Sequence, residues 1–404
     1  MEPEAITILS VIRDPLPPTR PDVLTLFGKS LVRLGIHSVL VGQSGETTGV
    51  AAWQGGKAYS RGREGGMVAT LLIPFWDSYG MFRAFRENAI TCVQARDKIS
   101  SGIVCYLAAR LTGRPFVYWM SFPFVEGHQA RAKTVGFSKG RIVWAANHVR
   151  SLFSRIAFYR FILPRADHVF VQSEAMREWL VAKGIDRQRM TAVPMGVDTE
   201  VFKRSRIVPA DDVRLDGRRV IAYLGALGKD RNSTFLLDLV IALSVHEPKI
   251  FLVLAGDASS EDERLWIREE IVRRNLQDHV LLTGWLSQAQ ALRYAIRAEV
   301  GLSPIPRGEL FDVSSPTKLV EYLALGIPGV ANDIPDQKLV IERSKAGLCV
   351  PMEIADFRDA TLRLLRDAPF REQCAARGPG FVQAERNYDT LAQQVAQTYR
   401  QIVR

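Results

Sequence analysis

The chain has 404 residues, 47% of them hydrophobic and 24% charged, which is too long for one ordinary domain and too apolar for a disordered chain. Its formal charge of +10 points to an anionic partner: phosphate groups, an acidic membrane surface or nucleic acid. Cys92, Cys105, Cys349 and Cys374 form no CxxC pair and the six histidines form no HExxH, so a disulfide framework and a zinc site are both disfavoured.

Buried thiols in a reduced, cytoplasmic compartment fit this cysteine usage. The first ten residues lack a basic start followed by a long apolar stretch, so no signal peptide is expected. In chain order, β-rich apolar runs fall at 6–12, 38–41, 68–73, 90–94, 116–119, 169–172 and 190–193, with helical patterns at 22–34 and 174–183. Residues 142–163 have the length of a membrane span, but Arg150, Arg155 and Arg160 cost too much at mid-bilayer. The second half repeats the grammar, with strands at 220–224, 250–255, 280–283, 300–303 and 329–331 and helices at 234–245, 261–274, 287–297 and 317–325. Continuous apolar strands alternating with helices predict an α/β fold of two doubly wound, Rossmann-like domains. The predicted boundaries are 1–200, 201–380 and a C-terminal helix over 381–404 that crosses back to the first domain.

Three strand-end loops of the second domain carry the chemistry. Residues 223–232 read Tyr-Leu-Gly-Ala-Leu-Gly-Lys-Asp-Arg-Asn, so Gly225 permits close approach to a ligand and Lys229 and Arg231 supply cations where a helix begins. A departing diphosphate needs such charge; a solvated turn is the competing reading. Gly256 and Asp257 close the strand 250–255, in what is equally readable as an ordinary turn. Residues 314–322 read Ser-Ser-Pro-Thr-Lys-Leu-Val-Glu-Tyr: Ser314, Ser315 and Pro316 open a helix in capping order, and its free amides can hold an anion. Lys318 in the first turn opposes the helix dipole, which a bound anion would reverse, and Glu321 one turn on can accept from a sugar hydroxyl. A surface pair between the two side chains is the alternative.

These residues resemble family 4 of the glycosyltransferases with the two-domain GT-B architecture, in the branch carrying a Ser-Pro-x-Lys-Leu-x-Glu-Tyr helix. Residues 93–97 (Val-Gln-Ala-Arg-Asp), 118–123 (Tyr-Trp-Met-Ser-Phe-Pro), 170–174 (Phe-Val-Gln-Ser-Glu) and 194–198 (Pro-Met-Gly-Val-Asp) support the likeness. The resemblance implies two domains facing each other across a cleft, a nucleotide-sugar donor on the second, and a retaining reaction without a metal or other cofactor. It implies that Glu321 meets the donor ribose and that Lys229 and Arg231 neutralise the diphosphate. Trp285 and Leu286, after Gly284, correspond to the base-binding edge, and Ser314, Ser315 and Thr317 lie along the phosphates and sugar. Two departures stand out: Val313 occupies the place of the first Glu of Glu-x7-Glu, with Glu309 and Asp312 out of register, and no His stands near Ser121, His128 coming later. No carboxylate pair suits double displacement, so attack on the donor from the leaving-group side is expected, with the departing phosphate taking the acceptor proton. Glu126 could assist, or could be a solvated loop carboxylate.

Between 127 and 166 lie eight Lys or Arg residues, including Arg141, Arg150, Arg155 and Arg160, and no Asp or Glu. Trp144 and Phe158 are interleaved with them, a mixture suited to an anionic interface. The segment is expected to dock on the inner face of a membrane and admit a polyprenyl-diphosphate-linked acceptor in cell-surface polysaccharide synthesis. A helical insertion with outward arginines is the alternative, since spacings of five fan around a helix. Other functions weighed are a nucleotide-sugar epimerase of the same fold and a basic nucleic-acid-binding protein, although no nucleic-acid module is recognisable. An NAD enzyme would need the G-x-G-x-x-G pattern, which is absent.

Overall fold

The computed structural model describes residues 5–44, 48–62, 67–135 and 141–404; the side chains of residues 67, 68, 70, 71, 131–135, 141–143 and 146 lie outside that description. The chain divides into two compact units, unit 1 comprising Met1–Pro194 with Tyr388–Arg404 and unit 2 comprising Met195–Asn387.

Unit 1 is built on strands β1 (Ile6–Ile12), β2 (Ile36–Ser44), β3 (Gly49–Trp53), β4 (Gly56–Gly62), β5 (Cys92–Arg96), β6 (Phe116–Met120), β7 (His168–Val171) and β8 (Met190–Ala192). They lie in the order β3-β4-β2-β1-β5-β6-β7-β8, parallel except for the β3–β4 hairpin. Its helices are α1 (Met67–Glu87), α2 (Ile99–Thr112), α3 (Phe124–Val135), α4 (Arg141–Ile156), the short α5 (Leu163–Arg165) and α6 (Glu174–Ala182), joined by helical segments Asp22–Ser30 and Ala157–Ile162.

Unit 2 carries β9 (Arg219–Leu224), β10 (Ile250–Ala255), β11 (Val280–Leu282), β12 (Val300–Ser303), β13 (Gly329–Asn332) and β14 (Gly347–Val350) in the order β11-β10-β9-β12-β13-β14, all parallel. Helices α7 (Ser233–Ser244), α8 (Glu261–Arg273), α9 (Gln288–Ala295), α10 (Thr317–Ala324), α11 (Pro335–Ser344), α12 (Ile354–Arg366) and α13 (Ala368–Phe381) cover it. Both units are therefore α/β and doubly wound. The chain order reverses between β1 and β5 in unit 1 and between β9 and β12 in unit 2, and in such sheets a ligand gathers at the carboxyl ends of the strands at that reversal.

The last helix, α14 (Tyr388–Ile402), returns to unit 1, where Leu391, Val395 and Tyr399 join Ile8, Trp119 and Phe170 in one core. Phe170 stacks on Tyr399 with ring centroids 5.1 Å apart and on Trp119 at 4.9 Å. Three of the four cysteines are buried, and burial pushes the thiols of Cys92 and Cys105 far up.

Residues 68–73, expected as a strand, lie instead in the first turns of α1, which runs through Pro74. A short apolar run does not distinguish a strand from a helix of which both faces are apolar; here Met81 and Ala84 are buried while Phe75 and Phe82 are exposed.

In unit 2 the reversal is fixed by Tyr322 of α10, which is fully buried. Its hydroxyl accepts from the Leu224 amide at 2.7 Å and lies 3.2 Å from the Ala222 carbonyl and 3.3 Å from that of Leu302, bridging β9 and β12. The ring packs so closely on β12 that a Cβ on Gly301 would sit 2.3 Å from it. Gly301→Ala should therefore overpack the reversal and cost about 1–3 kcal/mol, a fall in Tm of roughly 2–4 °C per kcal/mol in a thermal melt of the variant.

Candidate functional site

Strand β9 ends at Leu224, and Gly225 turns the chain with φ +133°, a backbone that side-chain-bearing residues avoid. The Gly225 amide donates to the Ala255 carbonyl at 3.0 Å, bringing Gly256 alongside. Lys318 crosses this turn: a Cβ on Gly225 would lie 3.2 Å from its Cε, and its ammonium sits 5.0 Å from the centre of the Tyr223 ring. One turn further along α10 is Glu321. Burial raises its carboxyl from 4.5 to about 7, against the pull of Lys318 and of a hydrogen bond with Thr317. Gly225, Thr317, Lys318 and Glu321 therefore form one cluster.

The remaining residues singled out in the sequence are placed around it unequally. Arg231 lies over the Phe311 ring at 5.4 Å, with Asp230 at 3.6 Å, so it borders the loop leading to Ser314. Lys229 sits over the Trp266 ring of α8 at 5.3 Å, while its amide donates to Glu263 at 3.3 Å. The expected basic pair is thus divided between two neighbours. Asp257 accepts from Arg264 and from the Ala258 amide, at 3.0 and 2.8 Å. Trp285 is 77% exposed beside Gly284, which adopts φ +71°, and Leu286 is half-buried. Asp312 is held by Arg307 at 2.9 Å.

The opening of α10 differs from the expected cap. Pro316 is the capping residue and makes no side-chain cap hydrogen bond. The Ser314 hydroxyl donates to the Phe311 carbonyl at 2.6 Å. The Ser315 hydroxyl donates to Asp336 at 2.8 Å and accepts from the Met195 amide at 3.0 Å and from Arg386 at 3.3 Å. Asp336 and Arg386 are both buried and are paired at 2.8 Å, and Arg386 also reaches the Met195 carbonyl at 3.4 Å. With both serines engaged elsewhere, the amides of Thr317 and Lys318 stay available to an anion. The Asp336–Arg386 pair gave no sequence signal, because its members lie 50 residues apart.

Unit 1 has its own cluster at the β1–β5 reversal. Arg96, 1% exposed, pairs with Asp22 and lies 3.5 Å from Asp14. Arg20 bonds Asp22 at 3.1 Å and the Ser121 hydroxyl at 3.0 Å. Asp97 has φ +56° and accepts from both the amide and the hydroxyl of Ser121; burial raises its carboxyl. Although burial opposes it, Arg96 and Arg20 hold the Asp22 carboxyl low. Lys98 meets Asp77 at 2.8 Å. Of these, only Arg96, Asp97 and Ser121 lay within the motifs that carried the resemblance.

Glu126 is not a solvated loop carboxylate. It is buried in the first turn of α3, accepting from Tyr159 at 2.8 Å and Lys183 at 3.3 Å. In the basic segment Arg150, Arg155 and Arg160 are exposed. Phe158 is not at the surface: it is 2% exposed and packs on Tyr118 at 5.1 Å, because it faces the sheet. Trp144 is half-buried against His148, at 4.2 Å, and the Arg141 side chain lies outside the described residues. Among the described residues no three His, Cys, Asp or Glu side chains are grouped to hold a metal ion.

Two family models match the chain: "Glycosyl transferase 4-like domain" over residues 13–196 and "Glycosyl transferases group 1" over 218–367. The chain is 23% identical over 310 residues to an alpha-D-kanosaminyltransferase of Streptomyces kanamyceticus, a match covering 74% of this chain and 73% of the relative. It is 26% identical to a phosphatidyl-myo-inositol mannosyltransferase of Mycobacterium tuberculosis over 57% of this chain and 58% of that one. Among solved structures, sucrose-phosphate synthase from Thermosynechococcus elongatus superposes with a TM-score of 0.73 at 18% identity, covering 98% of this chain and 99% of the other. Anabaena HepE in complex with UDP-glucose does so at 0.69 and 14% identity, covering 98% and 100%.

Two outcomes follow from this geometry. Removing one partner of a buried pair strands the other, so Asp336→Ala should cost about 3–5 kcal/mol in a denaturant titration, and Asp336→Leu with Arg386→Met should recover most of it. Because the Glu321 carboxyl is raised on folding, its contribution to stability is present below about pH 4.5 and is lost as the pH rises through about 7. Stability measured from pH 5 to 8 should accordingly decline less steeply in Glu321→Gln than in the parent.

Proposed function

Because the chain belongs to the family 4-like glycosyltransferases with the two-domain GT-B architecture, we propose that it transfers a sugar from a nucleotide-diphosphate donor with retention and without a metal ion. The acceptor in this reading is a glycan or a lipid-linked glycan, in cell-surface polysaccharide synthesis at the inner face of a membrane. The observation that carries the donor site is the meeting of Lys318, Glu321 and the uncapped start of α10 beside Gly225.

The donor diphosphate lies against the amides of Thr317 and Lys318, with the Lys318 ammonium and Arg231 balancing its charge. These groups supply the positive charge that a metal ion would otherwise bring. Glu321 accepts from the ribose hydroxyls, and the base lies towards Trp285 and Leu286. As the bond between the anomeric carbon and the phosphate oxygen breaks, positive charge grows on the sugar and negative charge on the diphosphate, which the cationic cluster stabilises. The acceptor oxygen attacks from the face the phosphate is leaving, and that phosphate takes the acceptor proton. Support for this course is that Asp257 and Asp312 are both held by arginines. The acceptor hydroxyl is received at the β1–β5 reversal of unit 1, where Asp97, Ser121 and Arg20 form a preset hydrogen-bonding group.

UDP-sugars are the first donors to test, since HepE is complexed with UDP-glucose. One class of nucleotide sugar should raise the melting temperature, by the equivalent of about 2.7 kcal/mol at a hundredfold excess over Kd. Arg231→Ala and Glu321→Ala should each reduce that shift. If both variants bind the nucleotide sugar as tightly as the parent, the donor site is wrongly placed.

A further inference from the structure

Helix α1 carries a row of apolar side chains on its outer face. Leu72, Phe75, Tyr79 and Phe82 are 42–65% exposed. Their spacing, i, i+3, i+7 and i+10, lines them up along one side of the helix. The opposite side is the packed one: Asp77, Met81 and Ala84 are buried, and Gly80 comes so close to Val41 that a Cβ there would lie 2.7 Å from it. Helix α4 repeats the arrangement with Val149, Leu152, Phe153 and Ile156, each at least half exposed, at i, i+3, i+4 and i+7.

Helix α1 and the continuation of α4 lie on the same face of the sheet. Val41, Val11, Ala95 and Tyr118 are neighbours in register across β2, β1, β5 and β6, so their side chains share one face of the sheet. Helix α1 meets that face at Val41, and α2 meets it at Ala95 and Tyr118 through Gly102. The continuation of α4 meets it at Tyr118 through Phe158. The outer surface of this layer is cationic. Arg86, Arg150 and Arg155 are exposed on these helices, and Arg110 at the end of α2 is exposed 3.9 Å from Asp167. Among the described residues its helices hold two carboxylates, Asp77, buried against Lys98, and Glu87, paired with Arg83 at 3.0 Å. Exposed aromatic and aliphatic rows flanked by arginines and lacking free carboxylates complement an anionic lipid surface: the rings enter the interface while the guanidinium groups stay at headgroup level.

We propose that the outer face of α1, α2 and α4 docks unit 1 on an anionic bilayer, with the aromatic row of α1 as the part that enters it. This deepens the membrane reading above, which rested on the basic segment 127–166 alone, by naming a second anchor and the face that meets the lipid.

The test is sedimentation of the full chain with vesicles of phosphatidylcholine, alone or mixed equally with phosphatidylglycerol. The parent should bind the mixed vesicles at low salt and less at high salt. Phe75→Ser with Phe82→Ser, both solvent-facing, should weaken partitioning about tenfold or more while the thermal shift with nucleotide sugar is retained. Arg150→Ala with Arg155→Ala should weaken it mainly at low salt. A parent that binds no anionic vesicle removes the membrane reading altogether. A parent that binds, with the α1 variant binding equally well, overturns the α1 anchor and leaves the basic segment standing. A concentration-dependent dimer of the parent that the α1 variant abolishes, with vesicle binding unaffected, would assign the row to a second copy of the chain instead.

Discussion

The arrangement of unit 2 depends on a buried charge pair, Asp336 with Arg386, completed by the Ser315 hydroxyl. Two ions removed from water are tolerable only if their remaining hydrogen-bonding capacity is met, and Ser315 and the Met195 carbonyl meet part of it. That requirement decides where the Ser315 side chain goes. It is drawn away from the first turn of α10, so the loop enters the helix through Pro316 and leaves the leading amides uncapped. A cation in that first turn, Lys318, opposes the helix dipole until an anion lies between them. The uncapped amides on which the proposed donor site relies are therefore a consequence of packing some distance away.

Much of the fold was legible because buried parallel strands are written as continuous apolar runs. The strand at 250–255 and the one at 300–303 fall where the sequence puts them, and the helices of unit 2 from α7 to α10 shift by a few residues at most. The failures have local causes. Residues 68–73 fall in the first turns of what proves to be a helix, whose later turns bury Met81 and Ala84 on one side and expose Phe75 and Phe82 on the other. The β3–β4 hairpin has Gly49, Gly55, Gly56 and Gly62 in place of an alternating pattern, and no short-range signal marks it.

The candidate site was legible in part. The helix motif singles out Lys318 and Glu321, which the fold places with Gly225, because a cation at a helix start and a carboxylate one turn later are local facts. The directions of Lys229 and Arg231 were not, since they are set by Trp266 and Phe311, which lie on other elements. The serine cap failed for the same reason: its competitor, Asp336, is 21 residues away. In the basic segment the charges were read correctly as exposed at Arg150, Arg155 and Arg160, whereas Phe158 turns inward to Tyr118. Composition reveals that a segment is basic and aromatic, but only the packed sheet decides which rings remain outside.

The return of α14 to unit 1 has a consequence for synthesis on the ribosome. Unit 2 is a continuous stretch and emerges whole, but the core around Trp119 and Phe170 receives Leu391, Val395 and Tyr399 only after unit 2 has been translated. At elongation speeds of about 5–20 residues per second, that apolar surface stays uncovered for roughly 10–40 s after its strands have left the exit tunnel. Unit 2 is thus complete before unit 1, and through that interval the sheet face awaiting α14 is exposed apolar surface.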